Sequence, residues 1–297
     1  MRLALTGATG YIARGVLAEV SDDAFQLRAL SRRPRPGWAP PATEWITVPS
    51  YVDRPALAAA FSGSDYILHL ADNPARLAAR NPEDSLHNAD AVIAAAKDAG
   101  IGGIILASSI YARETRTGYG AAKRALEERF LNAEDLKTII LRLPPVYGPG
   151  CRGGFAALAG LVGKQVPLPL GAARAPRAYL SRTNLASLVR SIAGAGPERW
   201  AAAAGRIFEP SDGQAVSTRD LAVMMGAQHG RRPLLLPVPP VLLQALGYAT
   251  GRREIVAGIV DRLEMLPVDH LTTAFGWRPV EQMPQSLAFL SDHLNSA

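Results

Sequence analysis

Two side chains able to carry out proton transfer, Tyr119 and Lys123, stand four residues apart in this chain. On a helix that spacing places both side chains on one face. A free tyrosine has a pKa of about 10, too high for proton transfer at neutral pH. A neighbouring ammonium group stabilises the phenolate and lowers that pKa. The pair therefore predicts a general acid/base.

Two serines, Ser108 and Ser109, lie about ten residues upstream of this pair. They follow an apolar run, residues 103–107, that is typical of a strand. Parallel sheets bind ligands at the carboxyl ends of their strands. A serine hydroxyl at that edge can hydrogen-bond the same substrate oxygen as the tyrosine. The pattern alone leaves open whether Ser108 or Ser109 binds the substrate oxygen.

The first residues of the chain predict a nucleotide-binding turn. A short apolar strand, residues 2–6, leads into Gly7-Ala8-Thr9-Gly10-Tyr11-Ile12-Ala13, and a helical stretch follows. Gly7 permits a tight exit from the strand, Gly10 lets the backbone approach a pyrophosphate, and Ala13 fills the third small position. The start of the helix directs N–H groups and a positive dipole end toward the phosphates. This arrangement indicates dinucleotide binding.

Strand and helix patterns alternate through the first half of the chain, which predicts an α/β fold with a Rossmann-type doubly wound parallel sheet. Strand patterns cover residues 25–31, 44–48, 65–71, 103–107 and 137–143, and helical patterns cover 53–61, 82–99 and 119–132. After Pro144 the alternation stops, and proline and glycine become frequent. We expect residues 1–145, joined by part of 178–206, to form the NAD(P)-binding domain, and 146–297 to form mainly a smaller substrate-binding lobe. In that lobe we expect a capped helix start at Ser217, a helix stop at residues 276–279 and a last helix over 285–294.

Composition and charge exclude several classes of protein. The net charge is +6, but the basic residues are scattered, so a nucleic-acid partner is not expected. A single cysteine, Cys151, excludes an internal disulfide framework and a cysteine-based zinc site, and we predict no metal site.

The sequence has no secretory signal and no apolar run of about 18 residues, so we expect no membrane span and a cytoplasmic location. Residues 233–249 are the most apolar stretch. We expect them to form a buried strand and a short helix, with a membrane-surface contact as the alternative.

The second strand ends in Ser31-Arg32-Arg33, without the acidic residue that would bind the ribose 2′-hydroxyl of NAD. A serine and an arginine can instead form charge-assisted hydrogen bonds with a 2′-phosphate. We therefore expect NADP as the cofactor, with NAD as the alternative.

Taken together, these motifs resemble the extended short-chain dehydrogenase/reductase superfamily, in its NAD-dependent epimerase/dehydratase family. The resemblance rests on residues 6–13, 65–71, 108–109, Tyr119 with Lys123, 142–149 and 276–279. It implies that Tyr119 is the acid/base, that Lys123 also binds the nicotinamide ribose and that Ser109 positions the substrate oxygen. It further implies a homodimer formed through the two long helices, near 82–99 and 119–132. The expected cofactor-binding residues are Gly7, Thr9, Gly10, Tyr11, Ile12, Ser31, Arg32, Leu70, Ala71, Lys123, Pro144 and Val146.

The second half of the chain is similar to bacterial nucleotide-sugar 4-ketoreductases and 4-epimerases, notably over residues 146–150, 166–171 and 177–185. By that similarity, Arg177 and Arg262 are candidate ligands of a substrate diphosphate. Gly154 stands where relatives tend to carry an asparagine for the substrate phosphates.

The expected reaction is reduction of a 4-keto-6-deoxy sugar nucleotide, with Tyr119 protonating the new alkoxide. A 4-epimerase with tightly bound NAD is the first alternative. A reductase of small non-nucleotide ketones and a non-catalytic NAD(P)-binding sensor are the others.

Overall fold

The computed structural model describes residues 1–20, 25–71, 82–115 and 117–292. The chain divides into two compact units. The first contains Met1–Pro144, Leu185–Pro210 and Pro267–Arg278, and the second contains Pro145–Asn184, Ser211–Leu266 and Pro279–Ala297.

The elements follow one another in chain order. They are β1 (Arg2–Thr6), α1 (Tyr11–Val20), β2 (Gln26–Ser31), β3 (Glu44–Thr47), α2 (Arg54–Phe61), β4 (Tyr66–His69), α3 (Pro82–Asp98), β5 (Gly103–Ser109), a 3-10 turn (Ile110–Arg113), α4 (Gly118–Leu131), β6 (Thr138–Leu143), β7 (Val146–Tyr147), α5 (Gly154–Gly163), β8 (Pro176–Ala178), β9 (Leu180–Ser181), α6 (Arg182–Ala193), α7 (Pro197–Ala203), β10 (Ile207–Phe208), β11 (Ala215–Ser217), α8 (Thr218–Gln228), α9 (Pro240–Ala249), α10 (Arg253–Val260), α11 (Asp269–Phe275), α12 (Met283–Ser286) and α13 (Phe289–Asp292).

A seven-stranded sheet in the order β10-β6-β5-β4-β1-β2-β3 forms the centre of the first unit, and every pairing in it is parallel. The inner strands are apolar and almost fully buried, as expected when helices cover both faces of a sheet. This sheet confirms the predicted Rossmann-type fold. The strand order reverses between β1 and β4, so their carboxyl ends border the crevice where such folds bind ligands.

The predicted helices of the first half lie where the sequence placed them. Asp53 caps α2 by accepting a hydrogen bond from the Ala56 amide at 3.0 Å, and Thr117 caps α4 by accepting one from the Gly120 amide at 3.0 Å. The fourth strand is shorter than predicted and ends at His69, because the Leu70 and Ala71 amides bond to the Thr6 side chain instead of a strand.

The second unit contains two small sheets, β8 with β11 and β7 with β9, around its own apolar core. The predicted cap is confirmed, because the Ser217 hydroxyl oxygen accepts from the Asp220 amide at 3.1 Å where α8 begins. The predicted last helix consists instead of two single turns, α12 and α13, and residues 293–297 lie outside the described residues.

The helix stop predicted at residues 276–279 is also confirmed. Gly276 ends α11 in the left-handed conformation, with φ of 67°, and its amide bonds to the Thr272 carbonyl oxygen. Trp277 is then buried in the first unit, with its indole N–H donating to the Ser187 hydroxyl at 2.8 Å.

The prediction of a buried strand and helix over residues 233–249 was wrong about burial. Leu235 forms only an isolated bridge with Leu168, and α9 buries a single residue, Gly247. Apolar residues lie around most of this helix, and only one side of it contacts the core. None of the helices in the described ranges combines the length and the apolar content that a membrane-spanning segment needs.

Candidate active site

The carboxyl ends of β1 and β4 are joined by the Thr6 side chain. Thr6 Oγ1 accepts hydrogen bonds from the Leu70 amide at 3.1 Å and the Ala71 amide at 3.2 Å, and it lies 2.9 Å from His69 Nδ1. Because the oxygen accepts twice, its own proton points to His69 Nδ1. His69 is therefore neutral, with its proton on Nε2.

Gly7 is required where the chain leaves β1. Its φ is +70°, and a Cβ there would lie 2.9 Å from the Ala71 Cα and from the Leu70 carbonyl carbon. The Gly7 amide donates to the Tyr51 hydroxyl at 2.7 Å, and that hydroxyl donates to the Leu30 carbonyl oxygen at 3.1 Å. The sequence reasoning did not single out Tyr51, which holds the turn against β2.

The turn and α1 fit a dinucleotide pyrophosphate. A Cβ at Gly10 would meet the Gly7 carbonyl oxygen at 3.0 Å. Thr9 and Gly10 are exposed, Tyr11 and Ile12 are half-buried and open α1, and Ala13 is fully buried. The exposed part of this edge therefore presents the backbone N–H groups of the turn and the start of a helix, which is the arrangement that binds phosphates.

The end of β2 carries two exposed arginines, Arg32 and Arg33. Ser31 Oγ accepts from the Arg33 amide at 2.9 Å. Arg28, within β2, is buried and bonds to Glu44 and to carbonyl oxygens near the end of α2. Strands β2 and β3 end in Ser31 and Thr47, so neither places a carboxylate at this edge.

Tyr119 and Lys123 lie one turn apart near the start of α4. Tyr119 is half-buried, and its ring meets that of Tyr111 edge-on, with centroids 6.5 Å apart. Lys123 is buried, and its Nζ donates to the Ala107 carbonyl oxygen of β5 at 3.4 Å. Gly120, between them, is needed because a Cβ there would collide with the Tyr111 carbonyl oxygen. The sequence reasoning missed this role of Gly120, although it lies inside the motif.

The two serines at the end of β5 have different surroundings. Ser108 Oγ donates to Glu127 Oε1 at 2.6 Å, and Glu127 is paired with Arg142 through Nη2–Oε2 at 2.6 Å and Nε–Oε1 at 2.9 Å. All three residues are buried, and the hydrogen bonds that Arg142 donates to the Glu127 carboxylate raise the pKa of Arg142. Neither Glu127 nor the role of Arg142 was inferred from the sequence, because the two are joined only in the folded chain.

Ser109 caps the 3-10 turn that leads to Tyr119. Its Oγ accepts from the Tyr111 amide at 3.4 Å, which leaves the hydroxyl proton available for another acceptor. The turn is anchored by Arg113, whose Nε donates to Glu209 Oε1 at 3.2 Å. This ion pair holds the short segment between Ser109 and Tyr119 against the end of β10.

A small cavity below Lys123 is lined by His69, Asn88, Leu106, Phe130 and others. Burial, and secondarily the positive charge of Lys123, lowers the pKa of His69 to about 3. A neutral His69 places no second positive charge beside Lys123, so it does not repel the Lys123 ammonium group. His69 is therefore a packed, hydrogen-bonded residue at the end of β4.

The candidate substrate arginines lie in the second unit and differ in exposure. Arg177 is buried, and its Nη1 donates to the Ala257 carbonyl oxygen at 3.3 Å and to that of Asp261, at the end of α10. Arg262 is exposed and pairs with Glu264 at 2.5 Å. Of the remaining cofactor candidates, Pro144 is buried at the end of the first unit, and Val146 begins β7 in the second.

Residues 3–162 match the NAD dependent epimerase/dehydratase family. The chain belongs to this family. It is 31% identical over 173 residues to a UDP-glucose 4-epimerase of Vibrio cholerae, a match that covers 57% of this chain and 50% of that protein. It is 35% identical over 158 residues to a ceramide reductase of Caulobacter vibrioides, covering 50% of this chain and 47% of that one. These matches span about half the length of each relative.

Among solved structures, the Thermus thermophilus UDP-glucose 4-epimerase in complex with NAD superposes with a TM-score of 0.74. It is 21% identical, and the match covers 100% of both chains. At that identity the similarity establishes the fold alone, and the fold is the one predicted from the sequence.

Proposed function

We propose that the protein is an NAD(P)-dependent oxidoreductase that reduces the 4-keto group of a nucleotide-linked 6-deoxy sugar. The observation that carries this proposal is the placement of Tyr119 and Lys123 one turn apart beside the end of β5, where Ser109 also lies. A bound nicotinamide supplies the hydride. Tyr119 then donates its proton to the oxygen that becomes the new hydroxyl, and the Lys123 ammonium stabilises the phenolate that remains.

Ser109 is the serine proposed to hold the substrate oxygen. Ser108 already donates its proton to the Glu127 carboxylate, inside a buried ion pair, so its use would require breaking that bond. The Ser109 hydroxyl oxygen only accepts a weak bond from the Tyr111 amide, and its proton can go to a substrate oxygen.

NADP is the proposed cofactor. Arg32 and Arg33 are exposed at the end of β2, and Ser31 is held in the turn beside them. Replacing Arg32 by alanine should weaken NADPH binding about tenfold or more and leave NADH binding nearly unchanged, because only NADPH carries the 2′-phosphate. Equal loss for both cofactors in isothermal titration would contradict this assignment.

The named relatives support an epimerase or a reductase, since one is a UDP-glucose 4-epimerase and the other a ceramide reductase. The first favours the alternative of a nucleotide-sugar 4-epimerase that keeps NAD bound.

Arg262 is the better candidate for the substrate diphosphate, because the Nη1 of Arg177 already donates hydrogen bonds to carbonyl oxygens at the end of α10. We further propose a cytoplasmic homodimer that pairs through α3 and α4.

The first experiment is to denature the purified protein and identify any released nucleotide by mass. Stoichiometric NAD would favour the epimerase, whereas an empty site or weakly held NADP would favour the reductase. Consumption of NADPH is then followed with UDP-linked 4-keto-6-deoxy sugars.

Variants test the assignment of residues. Tyr119→Phe should abolish turnover while sparing cofactor binding, and Tyr111→Phe, at the neighbouring exposed ring, is the matched control. Ser109→Ala should reduce kcat by a factor of about one hundred or more, as for a lost oxyanion donor. Retained turnover in Tyr119→Phe would refute the mechanism, and cofactor binding without turnover of any 4-keto sugar would favour a sensor.

A further inference from the structure

The hairpin formed by α9 and α10, residues 240–260, carries apolar side chains that the fold does not use. Leu243, Val256, Ile259 and the buried Val260 hold it to the core of the second unit. The two helices pack closely, since a Cβ at Gly247 would lie 2.7 Å from Val256 Cγ2. The other large apolar residues of the hairpin are therefore not needed for its attachment.

The outward side of α9 is an uninterrupted apolar surface, which we call the apolar arc. It consists of Val241, Leu242, Ala245, Leu246, Tyr248 and Ala249. On a helix these six positions lie away from Leu243 and Gly247. All of them are exposed, and the large ones reach 70% for Val241, 60% for Leu246 and 77% for Tyr248. The only polar side chain between Pro240 and Ala249, apart from Tyr248, is Gln244, which bonds to Asp261 at 3.0 Å on the side facing α10.

Positive charge lies close to this arc. Arg252 and Arg253 come just after α9 and are exposed, and Arg253 lines a cleft together with Tyr248 of the arc. Residues 231–262 contain five arginines against two carboxylates. A cleft between α9 and α10, lined by Gln244, Tyr248, Arg253, Ala257 and Asp261, opens beside the arc. Long apolar side chains next to arginines, with a tyrosine at the edge, have the chemistry of helices that lie in a membrane surface.

We propose that the α9–α10 hairpin docks this protein on an anionic membrane surface, with the apolar arc in the acyl boundary and the arginines among the headgroups. A lipid surface accepts a convex helix without a matching groove. Pairing with a second copy through the same patch would gather the arginines of both copies into one interface, which like charge disfavours. The proposal is independent of the reaction catalysed.

The test is co-sedimentation of the full chain with vesicles of phosphatidylcholine alone and of phosphatidylcholine with phosphatidylglycerol. We expect binding to the anionic vesicles, reduced by salt. Leu246→Ser should lower the vesicle partition coefficient about tenfold, because one large apolar side chain no longer enters the lipid. Val280→Ser is the control, since Val280 is an apolar residue of similar exposure, 63% against 60% for Leu246, and lies outside the hairpin. Arg252→Gln with Arg253→Gln should abolish the preference for anionic lipid.

Three results would overturn the proposal. One is no sedimentation with either vesicle. Another is equal binding by wild type and Leu246→Ser, which would indicate charge attraction without insertion. The third is an oligomer, seen by sedimentation velocity, that Leu246→Ser dissociates and vesicles do not compete with, because the arc would then be covered by a second copy. None of these readouts uses turnover, so the proposed function is tested separately.

Discussion

Removing the carboxylate of Glu127 should destabilise the first unit far more than removing an exposed carboxylate. The side chains of Glu127 and Arg142 are only 1% and 8% exposed, and they form two close N–O contacts at 2.6 and 2.9 Å. Glu127→Ala would leave a buried guanidinium without its counter-ion, at a cost of about 3–5 kcal/mol. It would also leave the buried Ser108 hydroxyl without its acceptor, at a further cost of about 1 kcal/mol.

The assay is urea unfolding followed by tryptophan fluorescence. All four tryptophans, at positions 38, 45, 200 and 277, lie in the first unit, so the signal reports that unit. The control is Asp90→Ala, which removes an ion pair between α3 and α4 whose side chains are 42% and 54% exposed. That change should leave the free energy of unfolding nearly unchanged, because water screens both charges.

Equal destabilisation by the two variants would refute the reasoning. A double variant, Glu127→Leu with Arg142→Met, provides a second check, because replacing both charges by apolar side chains of similar size leaves no unpaired ion. It should recover most of the stability lost in Glu127→Ala. Failure to recover would show that the loss came from packing and not from an uncompensated charge.

Two further predictions concern the turn and the histidine at the same sheet edge. Gly7→Ala should lower both the free energy of unfolding and the affinity for NAD(P)H, because its Cβ would clash with Ala71 at a φ of +70°. Urea unfolding and isothermal titration measure the two quantities. Gly37→Ala, whose Cβ would meet no atom within 4 Å, is the control and should leave both unchanged. Burial, with Lys123 second, lowers the pKa of His69 from 6.5 to about 3, so the folded state binds fewer protons than the unfolded chain between those values and stability falls as the pH decreases through them. Acidification from pH 7 to 5 should cost about 2 kcal/mol through this group, and His69→Gln should remove that part of the pH dependence of the fluorescence-detected unfolding; an unchanged pH profile would contradict it.

Much of the first unit could be predicted because its signals are local. The alternation of apolar strands with helices follows from periodicity within short windows, and the glycine turn follows from residues adjacent in sequence. The spacing of Tyr119 and Lys123 likewise requires only one helical turn. These predictions agree with the observed elements to within a few residues.

The choice between similar residues could not be made this way. Ser108 and Ser109 are chemically identical, and what separates them is the Glu127–Arg142 pair, whose members come from α4 and β6. Arg28 and Arg32 are both arginines of the β2 region, yet Glu44 of β3 and carbonyl oxygens near the end of α2 bind Arg28. A partner distant in sequence decided each case.

The sequence by itself determined the parallel sheet, the family and the position of the candidate acid/base, because backbone periodicity and motif spacing are properties of neighbouring residues. Only the tertiary structure decided which polar groups remain available, because a buried hydrogen bond depends on which elements meet. The tertiary structure also decided which apolar side chains of residues 233–249 are buried and which are exposed. Their apolar composition is compatible with a core or with a surface, and α9 turns only Leu243 and Gly247 inward while its other apolar side chains stay exposed.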